Sequence, residues 1–204
     1  EIQESYYIEM LEHLRELGVK IPITGTNWAT NAANRKTQLV TDFDDGHAYW
    51  YAWKWQEQIK EFRNKPMVEQ TKAILPALSF QRQLNRPYFV SEWDVPWPNE
   101  WRAESPIYLA AIGALQNWAG FAIHTYSYTS IKDIEITGKE VSSQAIGGVP
   151  YREGVFNTWN DPAKFGLFYH CALLLRRGDI KSANESYEIE TNDMALTPGE
   201  IPAL

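Results

Sequence analysis

Short apolar runs that each stop at a cluster of polar and aromatic residues constrain this chain more than any other feature. Val19-Lys-Ile-Pro-Ile-Thr24 runs into Gly25-Thr-Asn-Trp28, and Leu39-Val-Thr-Asp-Phe43 runs into Asp44-Asp-Gly-His-Ala-Tyr-Trp50. Pro87 to Ser91 lead to Glu92-Trp93, and Gly120-Phe-Ala-Ile-His124 leads to Thr125-Tyr-Ser-Tyr128. Runs of this kind read as strands. Helical periodicity lies around them. Ile8, Leu11, Leu14 and Leu17 share one face before Gly18, a left-handed cap. Ser105-Pro106 starts a helix carrying Ile107, Ala110, Ala111, Ala114, Leu115 and Trp118, with the hydroxyl as cap and proline in the first turn. Asp161-Pro162 opens another, with Phe165, Phe168, Tyr169, Ala172 and Leu173 on its face and Gly178 at its end. Residues 51–86 read as a long loop with some helix.

Strands alternating with helices imply parallel βα units. In a (β/α)8 TIM barrel, chemistry sits at the carboxyl ends of the strands, where every polar cluster of this chain falls. A doubly wound sheet collects ligands there too, but no Gly-rich phosphate loop is present. Four strands are half of an eightfold barrel, and a whole one takes about 250 residues. The expected fold is therefore an α/β barrel of which residues 1–180 supply the carboxyl-terminal half, with 181–204 a tail or the start of a following segment. The chain reads as opening inside a helix, and the amino-terminal half of the barrel is expected upstream as its partner.

Composition narrows the function. A net charge of −7 argues against a nucleic-acid partner, which calls for a basic face. No apolar run approaches the roughly 20 residues that cross a bilayer, so no membrane role is expected. The single cysteine, Cys171, leaves no intrachain disulfide and no thiolate metal cluster; within Phe168-Tyr-His-Cys-Ala-Leu-Leu-Leu it reads as a small core residue. Nine Trp, eleven Tyr and eight Phe are the unusual feature, concentrated in 49–55 and 93–101. Many must pack a core. Trp-rich loops left wet, however, suit a flat amphipathic ligand, and a sugar ring has an apolar C–H face with hydroxyls at its rim.

Glu92 is the sharpest chemical candidate. A carboxylate at the mouth of a buried strand beside Trp93 must be ionised and hydrogen-bonded, or carry a raised pKa; the plainer reading is a strand-end Glu paired with Arg or capping a helix. Here the motifs Thr24-Gly-Thr-Asn-Trp28, Asp45-Gly-His-Ala-Tyr-Trp50, Tyr88-Phe-Val-Ser-Glu-Trp93 and Phe121-Ala-Ile-His-Thr-Tyr126 resemble, in order, strands five to eight of clan A glycoside hydrolases of the family 5, cellulase-like kind. The resemblance implies retaining hydrolysis of a glycosidic bond in a poly- or oligosaccharide, without a cofactor. It makes Glu92 the nucleophile, Tyr49 the donor to that carboxylate, and His47 a residue lining the sugar site. It places the acid/base Glu upstream of Glu1, so that the chain alone is expected to be inactive. It also lacks the family's strand-eight tryptophan, leaving Tyr126 or Tyr128 as platform. Polysaccharide substrates point to a secreted or periplasmic protein.

Trp28, Trp50, Trp93 and Trp97 are the candidate sugar platforms, with Asn27 a candidate hydrogen-bonding partner; each also has a packing or turn reading. Asn99-Glu100 carries the dipeptide of the acid/base, but it follows Pro96-Trp-Pro98 and not a strand. Retaining catalysis needs two carboxyls about 5 Å apart, and separate strands hold such a pair better than one loop does. Asp44-Asp45 reads as a solvated turn, lacking further ligands for a hard cation. Two rival functions stand. A non-catalytic carbohydrate-binding protein would keep the aromatic cleft alone. A barrel enzyme for phosphorylated metabolites would need phosphate cradles where Trp and Tyr stand instead.

Overall fold

The computed structural model describes residues 2–28, 31–50, 64–70, 74–127, 156–159 and 161–190. Helix α1 (Ile2–Glu16) leads, followed by α2 (Ala32–Thr37), a 3-10 turn over Gln38–Val40 and strand β1 (Asp44–Tyr49). Then come α3 (Ile74–Gln81), β2 (Tyr88–Asp94), α4 (Glu104–Leu115), β3 (Gly120–Phe121), α5 (Pro162–Phe165) and α6 (Phe168–Arg177). The strands form one parallel sheet in the order β1-β2-β3, with β3 joined to β2 over two residue pairs. No described helix is long and apolar enough to cross a membrane.

This mixed α/β arrangement overturns the expected (β/α)8 barrel and its strands five to eight. Val19–Thr24 forms no strand: single backbone bonds join Val19 to Leu14 and Asp42 to Ile23, and side chains take up other backbone groups in place of a ladder. The Arg15 guanidinium donates to the carbonyls of Val19 and Ile21, and the Ile23 amide donates to the Asp42 carboxylate at 2.7 Å. Leu39–Phe43 is a tight turn. The strand begins one residue later and runs through the polar residues expected to follow it. β3 ends at Phe121, short of His124.

Two helix starts also differ from expectation. Ser105 does not cap α4; its hydroxyl donates to Asp94 at 3.0 Å inside the core, and the helix begins at Glu104. Asp161 does cap α5, accepting from the Ala163 amide, but the helix breaks around Gly166-Leu167 before α6. Gly178 closes α6 at φ 64° and Gly18 follows α1 at φ 86°, conformations that favour glycine.

The core lies between the sheet and helices α3 and α4. Trp50, Met67, Leu78, Tyr88, Val90, Trp93, Val95, Leu109 and Trp118 form one buried cluster. Trp93 stacks on Tyr108 with ring centroids 5.5 Å apart, and Tyr88 meets Trp118 edge-on at 5.5 Å. Cys171 is buried, and burial pushes its thiol pKa up. At the end of β2, Asp94 and Lys164 form an ion pair at 2.7 Å with both side chains fully buried. Nearby, Arg102 reaches Asp161 at 2.7 Å.

Candidate active site

One irregularity in the sheet builds the site. β1 and β2 run in register from Asp44↔Tyr88 to Gly46↔Val90, and then His47 pairs with Glu92, skipping Ser91. The extra residue makes a bulge, which re-aims the side chains after it. Under strict alternation Glu92 would share the core face of Tyr88 and Val90. With the bulge Trp93 joins that core face, and Glu92 stands partly open, its side chain 34% exposed. Gly46 at the bulge admits no side chain: a methyl there would overlap the Tyr88 hydroxyl and the Gln81 side-chain oxygen.

His47, which β1 sets opposite Glu92, and Tyr49, two residues further on, converge on it. The Tyr49 hydroxyl donates to Glu92 Oε2, and His47 Nδ1 lies 3.3 Å from the same oxygen. On the other side of its ring, His47 Nε2 is 2.7 Å from Ser91 Oγ. Ser91 donates in turn to Asp45, from its hydroxyl at 2.7 Å and from its amide at 3.0 Å. Burial lowers the His47 pKa; the Glu92 and Asp45 charges oppose that, while His124 adds to it. The Tyr49 ring packs against Phe156 at 5.2 Å and His124 at 6.1 Å. These ring contacts act with the Glu92 hydrogen bond to set the phenol's direction.

Chemically, the cluster is a carboxylate held by a phenol donor and faced by an imidazole, reachable from solvent. Trp28 completes it. Its indole lies 6.1 Å from the His47 ring, and its backbone bridges to Gly46. At 63% exposed it stands open to solvent beside His47. Asn27 is half-buried next to it.

Other predicted site residues fall elsewhere. Trp50 and Trp93 are not platforms: at 4% and 0% exposed they belong to the core, their indole N–H groups donating to the carbonyls of Lys65 and Ser105. Trp97 is half-buried in the turn after β2. Tyr126 is exposed with its ring against Phe165 at 6.0 Å. Tyr128, Trp53 and Trp55 lie outside the described residues. Asn99 is buried, bridging the Lys65 carbonyl and the Trp101 amide, while Glu100 is exposed. That pair builds the turn.

Asp44 and Asp45 are buried strand residues and not a solvated turn. Asp44 binds Arg86 at 3.1 Å; burial raises its pKa against that pull. Among the described residues, no group of three or more His, Cys, Asp or Glu could hold a metal ion. Two clefts of about 370 and 300 Å³ open elsewhere, and neither is lined by Glu92, His47 or Tyr49. Sequence reasoning missed Asp45, Ser91, His124 and Phe156 as parts of the site. Ser91 and Asp45 left a faint signal, as hydrogen-bonding residues one and two positions from Glu92 and His47.

No protein-family profile, curated protein or solved structure matches the chain.

Proposed function

We propose that Glu92 is the nucleophile of a retaining glycoside hydrolase acting on an oligo- or polysaccharide. One observation carries this reading: a partly open carboxylate takes the Tyr49 hydroxyl and faces the His47 imidazole on one oxygen, beside an exposed indole. Function is argued from the site and not from the fold.

In the proposed reaction a pyranose ring stacks on Trp28 with its hydroxyls toward His47. Glu92 attacks the anomeric carbon, and the bond to the leaving oxygen breaks. That oxygen takes a proton from a second carboxyl group. Water, deprotonated by the same group, then attacks the anomeric carbon and releases the Glu92 carboxylate. Tyr49 orients the nucleophile and spreads its charge, as a donor to a carboxylate does. No cofactor enters.

The test is covalent trapping. A panel of 2-deoxy-2-fluoro glycosides with dinitrophenolate leaving groups needs little acid assistance, so the glycosyl-enzyme accumulates. Peptide mapping should find the sugar ester on Glu92, and Glu92→Gln should abolish it. A label on another residue would remove Glu92 as nucleophile. Sugar binding by isothermal calorimetry, with no label from any glycoside and no change in Glu92→Gln, would favour a binding protein instead.

A further inference from the structure

A hydroxyl carries one proton, and Ser91 commits its own to Asp45. Its Oγ donates to Asp45 Oδ2 at 2.7 Å, and its amide donates to Oδ1 at 3.0 Å. The carboxylate thus takes both donors of one residue. The same Oγ lies 2.7 Å from His47 Nε2. With its proton already placed, Oγ can only accept there, so Nε2 must carry the hydrogen. A neutral imidazole has a single N–H. Nδ1 is therefore bare, and it faces Glu92 Oε2 at 3.3 Å. The same direction of bonding removes Ser91 as a nucleophile in a Ser-His-Glu arrangement, because its proton points to Asp45 and not to His47.

We infer that Asp45, acting through Ser91, holds the hydrogen of His47 on Nε2 and turns the bare Nδ1 toward Glu92. Asp45 is a positioning residue, buried behind the site in β1. The catalytic consequence rests on the proposal that Glu92 is the nucleophile. A lone pair beside a carboxylate leaves its charge unquenched on that side, so Tyr49 remains the donor that aligns it. An N–H at Nδ1 would instead stabilise the charge and blunt the attack. The groups facing His47 are Asp45 from β1, Ser91 and Glu92 from β2, His124 beyond β3, and the Trp28 indole. The two carboxylates favour the imidazolium; burial and His124 favour the neutral ring whose tautomer the relay sets.

Asp45→Asn tests this by reversing the relay. The amide nitrogen donates to Ser91 Oγ, the Ser91 proton swings to His47 Nε2, and the imidazole hydrogen moves to Nδ1. Nitrogen-15 NMR of histidine-labelled protein distinguishes bare from protonated ring nitrogens. The parent should show a bare Nδ1 above its titration, and Asp45→Asn a bare Nε2. Ser91→Ala should give the same tautomer as Asp45→Asn and stands in if that variant fails to fold, while Ser91→Thr should restore the parent's. A bare Nε2 in the parent, or the parent's tautomer in Ser91→Ala, overturns the inference. None of these readouts needs a substrate. A parent with bare Nδ1 that reacts with no glycoside retires the hydrolase proposal and leaves this one standing; an active parent with bare Nε2 does the reverse.

Discussion

The Asp94–Lys164 pair sets the energetic stakes of the fold around the site. Both side chains are fully buried and meet at 2.7 Å, and Asp94 also accepts from Ser105 at 3.0 Å and from the Val95 backbone. Lys164→Met removes the cation and strands a carboxylate in the core. Breaking one half of such a pair costs about 3–5 kcal/mol, which is a large part of the roughly 5–15 kcal/mol that holds a domain together. With no exposure, solvent screening does not discount that figure. The loss should depend on pH. Burial raises the Asp94 pKa and Lys164 opposes that rise, so in Lys164→Met the native state holds a proton that the unfolded chain has released above its ordinary carboxyl range. Where the native state binds more protons, stability rises as pH falls. The deficit of Lys164→Met in urea unfolding should therefore shrink from pH 7 to pH 5. Asp94→Asn combined with Lys164→Met keeps an acceptor for Ser105 and removes both charges; it should recover most of the loss, because well-packed neutral replacements of a buried pair are often near neutral. A deficit below about 1 kcal/mol in the single variant, a double variant as damaged as the single, or a deficit that grows toward pH 5 would refute the argument.

Tyr49→Phe removes only the hydroxyl that donates to Glu92 and keeps the ring contacts with Phe156 and His124. It should slow formation of the 2-fluoroglycosyl ester about tenfold, the low end for a hydrogen bond to a charged group because the carboxylate is a third exposed, and an unchanged trapping rate would remove Tyr49 from the mechanism. Gly46→Ala pushes a methyl into the Tyr88 hydroxyl and the Gln81 oxygen; chemical denaturation should show a loss of about 1–3 kcal/mol, and a neutral outcome would mean that the bulge is not tightly packed.

Glu92 stood out because Tyr88 to Val90 is an apolar run with a carboxylate just past it, whereas His47 and Tyr49 stood out only through the resemblance to the His-x-Tyr of family 5 barrels. The strand that carries them was not legible. Asp44–Tyr49 is polar, and its burial is made possible by partners distant in sequence: Arg86 and Gln83 for Asp44, Ser91 for Asp45. Hydropathy periodicity records none of those pairings. Val19–Thr24 failed in the opposite sense, apolar enough for a strand but bonded to Arg15 and Asp42 in place of a ladder. The tryptophans show the limit most plainly. Trp28 and Trp93 look alike in sequence, each ending a strand-like run, yet one is exposed and the other sealed. What seals Trp93 is the bulge at Ser91, a matter of pairing between strands that no single run of residues declares, while Trp28 follows a run that forms no strand.

That bulge gives β2 a parity. Substitution can alter Glu92, Trp93 or Ser91 one chemistry at a time, but losing or gaining a residue between Val90 and Glu92 exchanges the fates of acid and indole together, driving the carboxylate inward and the large ring out. Divergent copies of this chain should thus tolerate changes of length almost anywhere before they tolerate one here, and an alignment gap inside 88–94 would mark a protein that has abandoned this chemistry.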